Sequence, residues 1–407
     1  MQTDFNPMKN NFYLSHKKSL TMISLFIISI IFFCAKFSYS QNKNLTSITQ
    51  IYPGILHKRI INKKDTLIIN ILQIKLNSNL YKIESIKAHN LLDARETTSD
   101  LSKWISDSLN KVIAAVNADF FKIRTGGEVV NNMISNGKFV KAVHKTNGMI
   151  YPQFALTIDN KPLIEKFNFY GKIILDDNRT FSIERINSKT DSARITLYNS
   201  FQGSYTPKTN NRWKTLGLTL YPVKRIADTS YFIVKNKFLN TSRNKIPRKG
   251  FILSTNNKLA DILGKLLHIR DTVKVLLNML PNFGRIVNST GGMPILVRNG
   301  INLALNNDTV GGTHPYFSVK KHPRTGMGFS KDSSLIYFIT VDGRQESSSG
   351  VSLSEFGKIM ISQGIYQGLN LDGGGSTTMV INGKVVNHPS DKTGERAVGN
   401  CLIIIKI

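Results

Sequence analysis

The sequence predicts a mixed α/β (α+β) fold: a twisted mixed β-sheet with flanking helices, and a ligand site at the carboxyl ends of its strands. Three observations carry that expectation. An apolar, β-branched strand at Ser334–Val341 is followed by a capped amphipathic helix and then by a second buried strand at Gly368–Leu371. Val112–Val116 is another continuous apolar strand, preceded by a helical pattern over Ser99–Leu109. Apolar residues make up 41% of the 407 and charged residues 20%, enough to bury a core and to exclude a disordered or collagen-like chain.

In chain order, residues 1–40 read as a secretory signal. Lys17 and Lys18 close a basic region, Leu20–Phe33 is an apolar run of fourteen, and Ser38-Tyr39-Ser40 places small residues before a cleavage at Gln41. The run is short for a membrane span; an uncleaved anchor is the plainer alternative, and Phe33 argues against a lipoprotein at Cys34. No later stretch reaches about 18 uninterrupted apolar residues, so a secreted, periplasmic or cell-surface bacterial protein with no membrane span is expected. After cleavage Cys401 would be the only cysteine, which excludes an internal disulfide.

Residues 41–110 are expected to form N-terminal strands and a helix, with β-branched runs at Thr66–Ile74 and Tyr81–Lys87 and a helical face of Leu101, Trp104, Ile105 and Leu109. Residues 111–407 form the main domain, with a polar, irregular insert at about 150–250, read as a lobe or a set of long surface hairpins. Asn136-Gly137, Asn299-Gly300 and Asn382-Gly383 each lie between β-type runs and signal type I′ hairpins. Ser352 and Glu355 form a capping box for a helix whose buried face is Leu353, Phe356, Ile359 and Met360, and Gly364 stops it.

Lys and Arg total 54 against 26 Asp and Glu, a formal charge of +28. The lysines are spread along the whole chain, with no basic block and no base-reading motif, so a nucleic-acid partner is not expected. Weak attraction to anionic surfaces or glycans is. Two cysteines exclude a disulfide scaffold and a thiolate zinc finger.

The strongest local signal is Asp372-Gly373-Gly374-Gly375-Ser376-Thr377-Thr378. Three glycines let the backbone turn tightly and approach a ligand, and their N–H groups can form an anion-binding concavity. A carboxylate at a buried strand's end is costly unless paired or used. An ordinary Gly-rich turn capped by the aspartate is the plainer reading, and the Lys-Ser/Thr ending of a nucleotide phosphate loop is missing. Asp342-Gly343-Arg344-Gln345 ends the other strand, and Arg324 and Arg396 add two more guanidinium forks near Gly-rich turns. Three arginines beside aspartates suit a phosphate or carboxylate, although each alone fits a surface ion pair. His314, His322 and His388 stand singly and read as structural. No Gly-x-Ser-x-Gly elbow is present. If the strands of the strand–helix–strand unit pair in parallel, their carboxyl ends share one edge. Asp342, Arg344, Asp372 and Ser376 then share a rim, to which Val112–Val116 can add Asn117 and Asp119.

These stretches resemble the phosphodiester glycosidase family, which includes bacterial exopolysaccharide-associated proteins. The resemblance runs through Ala114–Phe121, Gly291–Val297, Arg324–Gly328, Val341–Gln345, Leu369–Thr378, Asn387–Asp391 and Gly394–Arg396. It covers roughly 110–405, is strong from about 285 onward and is poor through 150–280. Asp119 departs from it, standing where the family often has Gly. The resemblance implies a mixed α/β domain that hydrolyses a sugar-1-phosphodiester and releases the sugar. On that basis Asp342 and Asp372 are expected as nucleophile or general base, with Glu395 as a reserve acid/base. Arg324, Arg344 and Arg396 are expected on the phosphate, with Gly373, Gly374 and Gly375 shaping the pocket. Asn117, Asp119, Ser376 and Thr377 are expected to hold sugar hydroxyls or to orient a carboxylate. No cofactor is required in this reading; a divalent cation on the aspartates is the open alternative. The competing readings are a non-catalytic protein of anionic-glycan binding or exopolysaccharide assembly, a phosphodiesterase cutting the P–O bond, and a cationic adhesin.

Overall fold

The computed structural model describes Met1 and residues 44–407 apart from 77, 107–110, 147 and 242. The expected signal segment and Leu109 of the first helix therefore lie outside the described residues. Among the described residues, twenty-six strands form sheets of eight, thirteen and five strands, with only four α-helices. This overturns the α+β expectation: the protein is predominantly β. Apart from a short parallel contact between Arg185–Ile186 and Thr196–Tyr198, every pairing is antiparallel.

The core shows why the strands misled. In Leu67–Lys75, Ile69 and Ile71 face one apolar cluster while Leu72 and Ile74 face another. In Leu335–Val341, Tyr337, Ile339 and Val341 face the first, and Ile336 and Phe338 the second. The same period of two divides Asn400–Lys406, with Leu402 and Ile404 on one side and Cys401, Ile403 and Ile405 on the other. These strands are buried on both faces, so they read as continuous apolar runs, like the strands of a parallel sheet.

The two clusters define layers. Helix Leu353–Ser362 packs Leu353, Phe356 and Met360 onto the outer face of the eight-stranded sheet. That sheet's inner face meets the five-stranded sheet through Leu72, Phe338 and Leu369 against Ile113, Val116 and Leu402. Helix Thr98–Ile105 covers the far side of the five-stranded sheet with Leu101. The Ser352–Glu355 capping box forms as expected, and Gly364 follows that helix in the left-handed region. All three Asn-Gly pairs connect hairpin strands with positive φ at both residues, as a type I′ turn requires.

Residues 150–250 supply strands of the thirteen-stranded sheet, including a hairpin of Thr215–Ile226 and Thr229–Leu239. That sheet curls. Strands Lys138–Val143 and Asn168–Ile174 stand far apart in its order, yet Lys145 N donates to Asn168 Oδ1 (2.9 Å) and the His144 ring bonds the Phe169 carbonyl (2.7 Å). No helix among the described residues is long and apolar enough to cross a membrane.

The expected parallel pairing of Leu335–Val341 with Gln367–Asn370 is also corrected. Strand Arg324–Phe329 lies between them, antiparallel to both. The outer two still run in the same direction, so Asp342 and Asp372 leave the sheet at the same edge. Val112–Asn117 belongs to the five-stranded sheet, not to this one.

Candidate active site

The segment Asp372–Thr378 crosses from one sheet to another. It leaves strand Gln367–Asn370 in the eight-stranded sheet and enters Met379–Ile381, which pairs with Val112–Asn117 in the five-stranded one. Asn117 fastens the crossing. Its Nδ2 donates to the Asp372 carbonyl (2.6 Å), and its Oδ1 accepts from Thr325 Oγ1 (2.8 Å) and Thr378 N (3.0 Å). Asn117 thus ties the Asp372 carbonyl, the Thr325 hydroxyl and the Thr378 amide together. Asp372 N in turn donates to Ala118 O (2.9 Å).

The glycines let charged groups close on the loop. Gly374 has φ +61°, and the Arg344 guanidinium lies 3.1 Å from where its Cβ would be. A Cβ on Gly375 would stand 2.1 Å from Asp391 Oδ1 and 2.2 Å from Arg396 Nη2. The expected concavity of free N–H groups is reduced, because Gly374 N, Ser376 N and Thr377 N already donate to carbonyls of Pro323, Gly373 and Gly374.

Asp372 retains partial exposure, and its pKa is pushed up to about 7. Burial is the largest cause, and the nearby Asp119 carboxylate adds to it; Ser376, Arg396 and the Gly373 amide oppose it. The Ser376 hydroxyl lies beside this carboxyl without hydrogen-bond geometry, and Ser376, Thr377 and Thr378 are buried hydroxyls with no partner among the described residues. Asp119 is 1% exposed and is pushed up to about 6 by burial, against bonds to its carboxylate from Asn131 N (3.1 Å) and Nδ2 (2.8 Å). The fold thus brings the Asp119 carboxylate close enough to raise the pKa of Asp372.

Asp342 is also 1% exposed, and burial raises its pKa. Both of its oxygens accept from His388 N (3.2 Å), and Oδ1 also accepts from Asn387 Nδ2 (3.2 Å). Asn387 Nδ2 reaches Thr377 O as well (3.0 Å), so Asp342 anchors the 387–388 turn against the crossing loop.

The arginines divide. Arg324 is 1% exposed and donates to the carbonyls of Val351, Phe317 and Lys320 (2.7–3.2 Å), with its guanidinium over the Phe317 ring. Burial and the neighbouring Arg344 lower it to about 10. Arg396 is gripped by Asp391 through two bonds (2.8 and 3.0 Å). Arg344 is exposed, and its Nη2 meets His322 Nδ1 at 3.1 Å. Burial first, then Arg324, Arg344 and Lys320, hold His322 down at about 4, so it is a neutral acceptor for Arg344. Glu395 stands apart: its Oε2 accepts from Ser99 N (3.0 Å) at the start of helix Thr98–Ile105. Among the described residues no three His, Cys, Asp or Glu side chains are grouped to hold a metal ion.

Sequence reasoning passed over Asp391, Asn387, Asn131 and His322. Asp391 and Asn387 sit in a stretch already singled out, and Asp391 lies five residues before Arg396, but their partners are defined only by the turn. His322 stood alone in the sequence, and its role comes from Arg344, 22 residues away.

Residues 228–405 match the family model described as phosphodiester glycosidase. That span holds the arginines, Asp342, the crossing loop and Glu395, while Asn117 and Asp119 come from outside it. The SPbeta prophage-derived protein YomE of Bacillus subtilis is 42% identical over 84 residues, 21% of this chain and 13% of that protein. N-acetylglucosamine-1-phosphodiester alpha-N-acetylglucosaminidase of Bos taurus is 38% identical over 68 residues, 17% of this chain and 12% of that protein. The human protein of the same name is 38% identical over 68 residues, 17% of this chain and 13% of that protein. These matches therefore span about an eighth of the curated relatives' own length. A crystal structure of a Synechocystis protein shares the fold, with TM-score 0.68, 16% identity, and 89% of this chain and 64% of that one covered. So does one from Burkholderia pseudomallei K96243, with TM-score 0.61, 19% identity, and 83% and 74% covered. Over residues 228–405, then, the chain is similar to the phosphodiester glycosidase family.

Proposed function

We propose that this protein hydrolyses a sugar-1-phosphodiester in an extracytoplasmic glycan or glycoconjugate, releasing the sugar. The observation that carries the reading is Asp372. It is a partly exposed carboxyl poised near neutrality, influenced by buried Asp119 and by Arg396, on a loop over which exposed Arg344 lies.

A phosphate monoester leaves as a stable anion, so its departure depends more on charge neutralisation than on protonation. Arg344 fits that task, since the group it contacts, His322, is neutral. Buried Arg324 adds positive charge beside Arg344 and His322, and Arg396, held by Asp391, acts on Asp372. Ionised Asp372 then attacks the anomeric carbon or takes the proton of an attacking water, and Asp119 sets how basic it is. Asp342 and Asn117 are positioning residues. Tyr316, 60% exposed, lies 6.0 Å from the His322 ring and carries the Lys320 ammonium over its own ring at 4.7 Å, so it borders this cationic corner as an aromatic surface for the sugar or its aglycone.

The test is incubation with a panel of sugar-1-phosphate methyl esters in oxygen-18 water, with and without chelator. Reducing sugar should appear with the label in the sugar. Label in phosphate would establish P–O cleavage instead, and saturable binding without turnover would establish a glycan-binding protein. A loss of turnover on chelation, restored by a divalent cation, would assign a metal to the aspartates. Arg344→Ala should lower kcat/KM on the charged diester by at least tenfold more than on a neutral aryl glycoside.

A further inference from the structure

A cavity of about 410 Å³ lies away from Asp372, inside the curl of the thirteen-stranded sheet. None of its lining residues belongs to the crossing loop or to the 387–396 turn. Its volume falls within the range of small-molecule sites. The floor is apolar, built from Phe139, Phe232, Phe251, Val275, Met279 and Ile286, which belong to that sheet's own core. The strands that supply them lie toward both ends of the sheet's order, so the curl itself makes the hollow. A strongly curved sheet enclosing one small ligand is a recurring use of such geometry.

The mouth is charged. Lys138, Arg225, Arg248, Lys249 and Arg285 line it and are exposed, against a single acid, Asp228. Five cations and one carboxylate give a formal charge of +4. Arg225 reaches Asp228 only at 3.9 Å, and its Nε donates to Ala227 O (2.9 Å). Burial and then the like charge of Arg285 lower Arg225 below its ordinary value, so these two guanidinium groups stand close without an acid that neutralises both. Such a pair offers bidentate bonds to a phosphate or carboxylate. An apolar hollow closed by a cationic rim is complementary to a molecule with a tail and an anionic head.

We propose that this cavity binds a small amphiphilic anion, its apolar chain among the phenylalanines and its phosphate or carboxylate at Arg225 and Arg285. The inference does not rest on the glycosidase reading, and its test is separate. Calorimetric titration of the full chain with decyl phosphate, below its micelle concentration, should show saturable one-to-one binding. 1-Decanol and inorganic phosphate should each bind at least tenfold more weakly. The double variant Arg225→Gln/Arg285→Gln should weaken decyl phosphate at least tenfold, and Ser230→Phe, which fills the hollow, should do the same. Both variants should keep the parent's melting temperature and its sugar-1-phosphodiester turnover. Non-saturable uptake, equal affinity for decanol, or binding that survives either variant would overturn the proposal.

Discussion

Asp372→Asn separates catalysis from stability, because the two should move in opposite directions. The folded carboxyl titrates near 7, against about 3.9 in an unfolded chain. Between those values the folded state keeps a proton that the unfolded state has lost. Stability therefore falls as pH rises from about 4 to about 7 and is level above. The difference between about 7 and about 3.9 corresponds to roughly 4 kcal/mol as a ceiling. Partial exposure of the carboxyl, and the loss of its attraction to Arg396, reduce the expected gain from a neutral amide to about 1–2 kcal/mol at pH 8.5. At about 2.1 cal/mol/K per residue over the described chain, that is a rise in Tm of about 1–3 °C. The gain should shrink to a small remainder near pH 4, where the folded carboxyl is neutral and the unfolded one is about half protonated. Turnover should fall by at least two orders of magnitude. Thermal melts of both proteins at pH 4, 6 and 8.5, with turnover on the same preparations, make the measurement. A variant that melts lower at every pH, or that gains equally at pH 4 and 8.5, would refute the assignment of an unfavourable charge to Asp372. Near-normal turnover would remove Asp372 from the chemistry.

The neighbours of Asp372 predict the direction of its pH profile. With Asp372 acting as an ionised group, kcat/KM should rise with pH through about 7; Asp119→Asn should move that limb to lower pH and Arg396→Gln to higher pH, and shifts in the opposite sense would refute the coupling. Gly375→Ala should displace the Asp391–Arg396 pair, since its Cβ meets both side chains within 2.2 Å, and should cost at least tenfold in turnover; wild-type kinetics would show that the pair does not need to approach the loop. Glu395→Ala should cost about 1 kcal/mol by removing the acceptor of Ser99 N in the first turn of helix Thr98–Ile105 while leaving turnover within twofold, and a collapse of turnover at unchanged stability would return Glu395 to the acid/base role.

The turn chemistry was fully legible from the sequence. The Asn-Gly hairpins and the Ser352–Glu355 box depend on residues within three or four positions of one another, and local sequence carries that information. The class of the fold was not legible. Periodicity cannot tell a strand buried between two sheets from one buried between helices in a parallel sheet, and Leu335–Val341 is of the first kind. The roles of the charged residues were only partly legible. Arg324, Arg344 and Arg396 look alike as letters, yet one is spent on carbonyls, one lies exposed beside a neutral histidine, and one is held by an aspartate five residues away. Those differences come from burial and from partners brought in by the fold.

The rim survived the wrong pairing, and the reason is geometric. Two strands bring their carboxyl ends to one edge whenever they run in the same direction, whether they are neighbours or are separated by one antiparallel strand. Arg324–Phe329 is that intervening strand, and it puts Arg324 at the same edge as Asp342 and Asp372. A sheet built as expected would have placed Asp342 next to Asp372 as an equal partner in chemistry. With the extra strand between them, Asp342 instead turns to the backbone of His388, and the carboxylate that couples to Asp372 comes from the opposing sheet, at Asp119. The second acid therefore depends on how the two sheets stack, and Asn117, bonded at once to Asp372, Thr325 and Thr378, fixes that stacking.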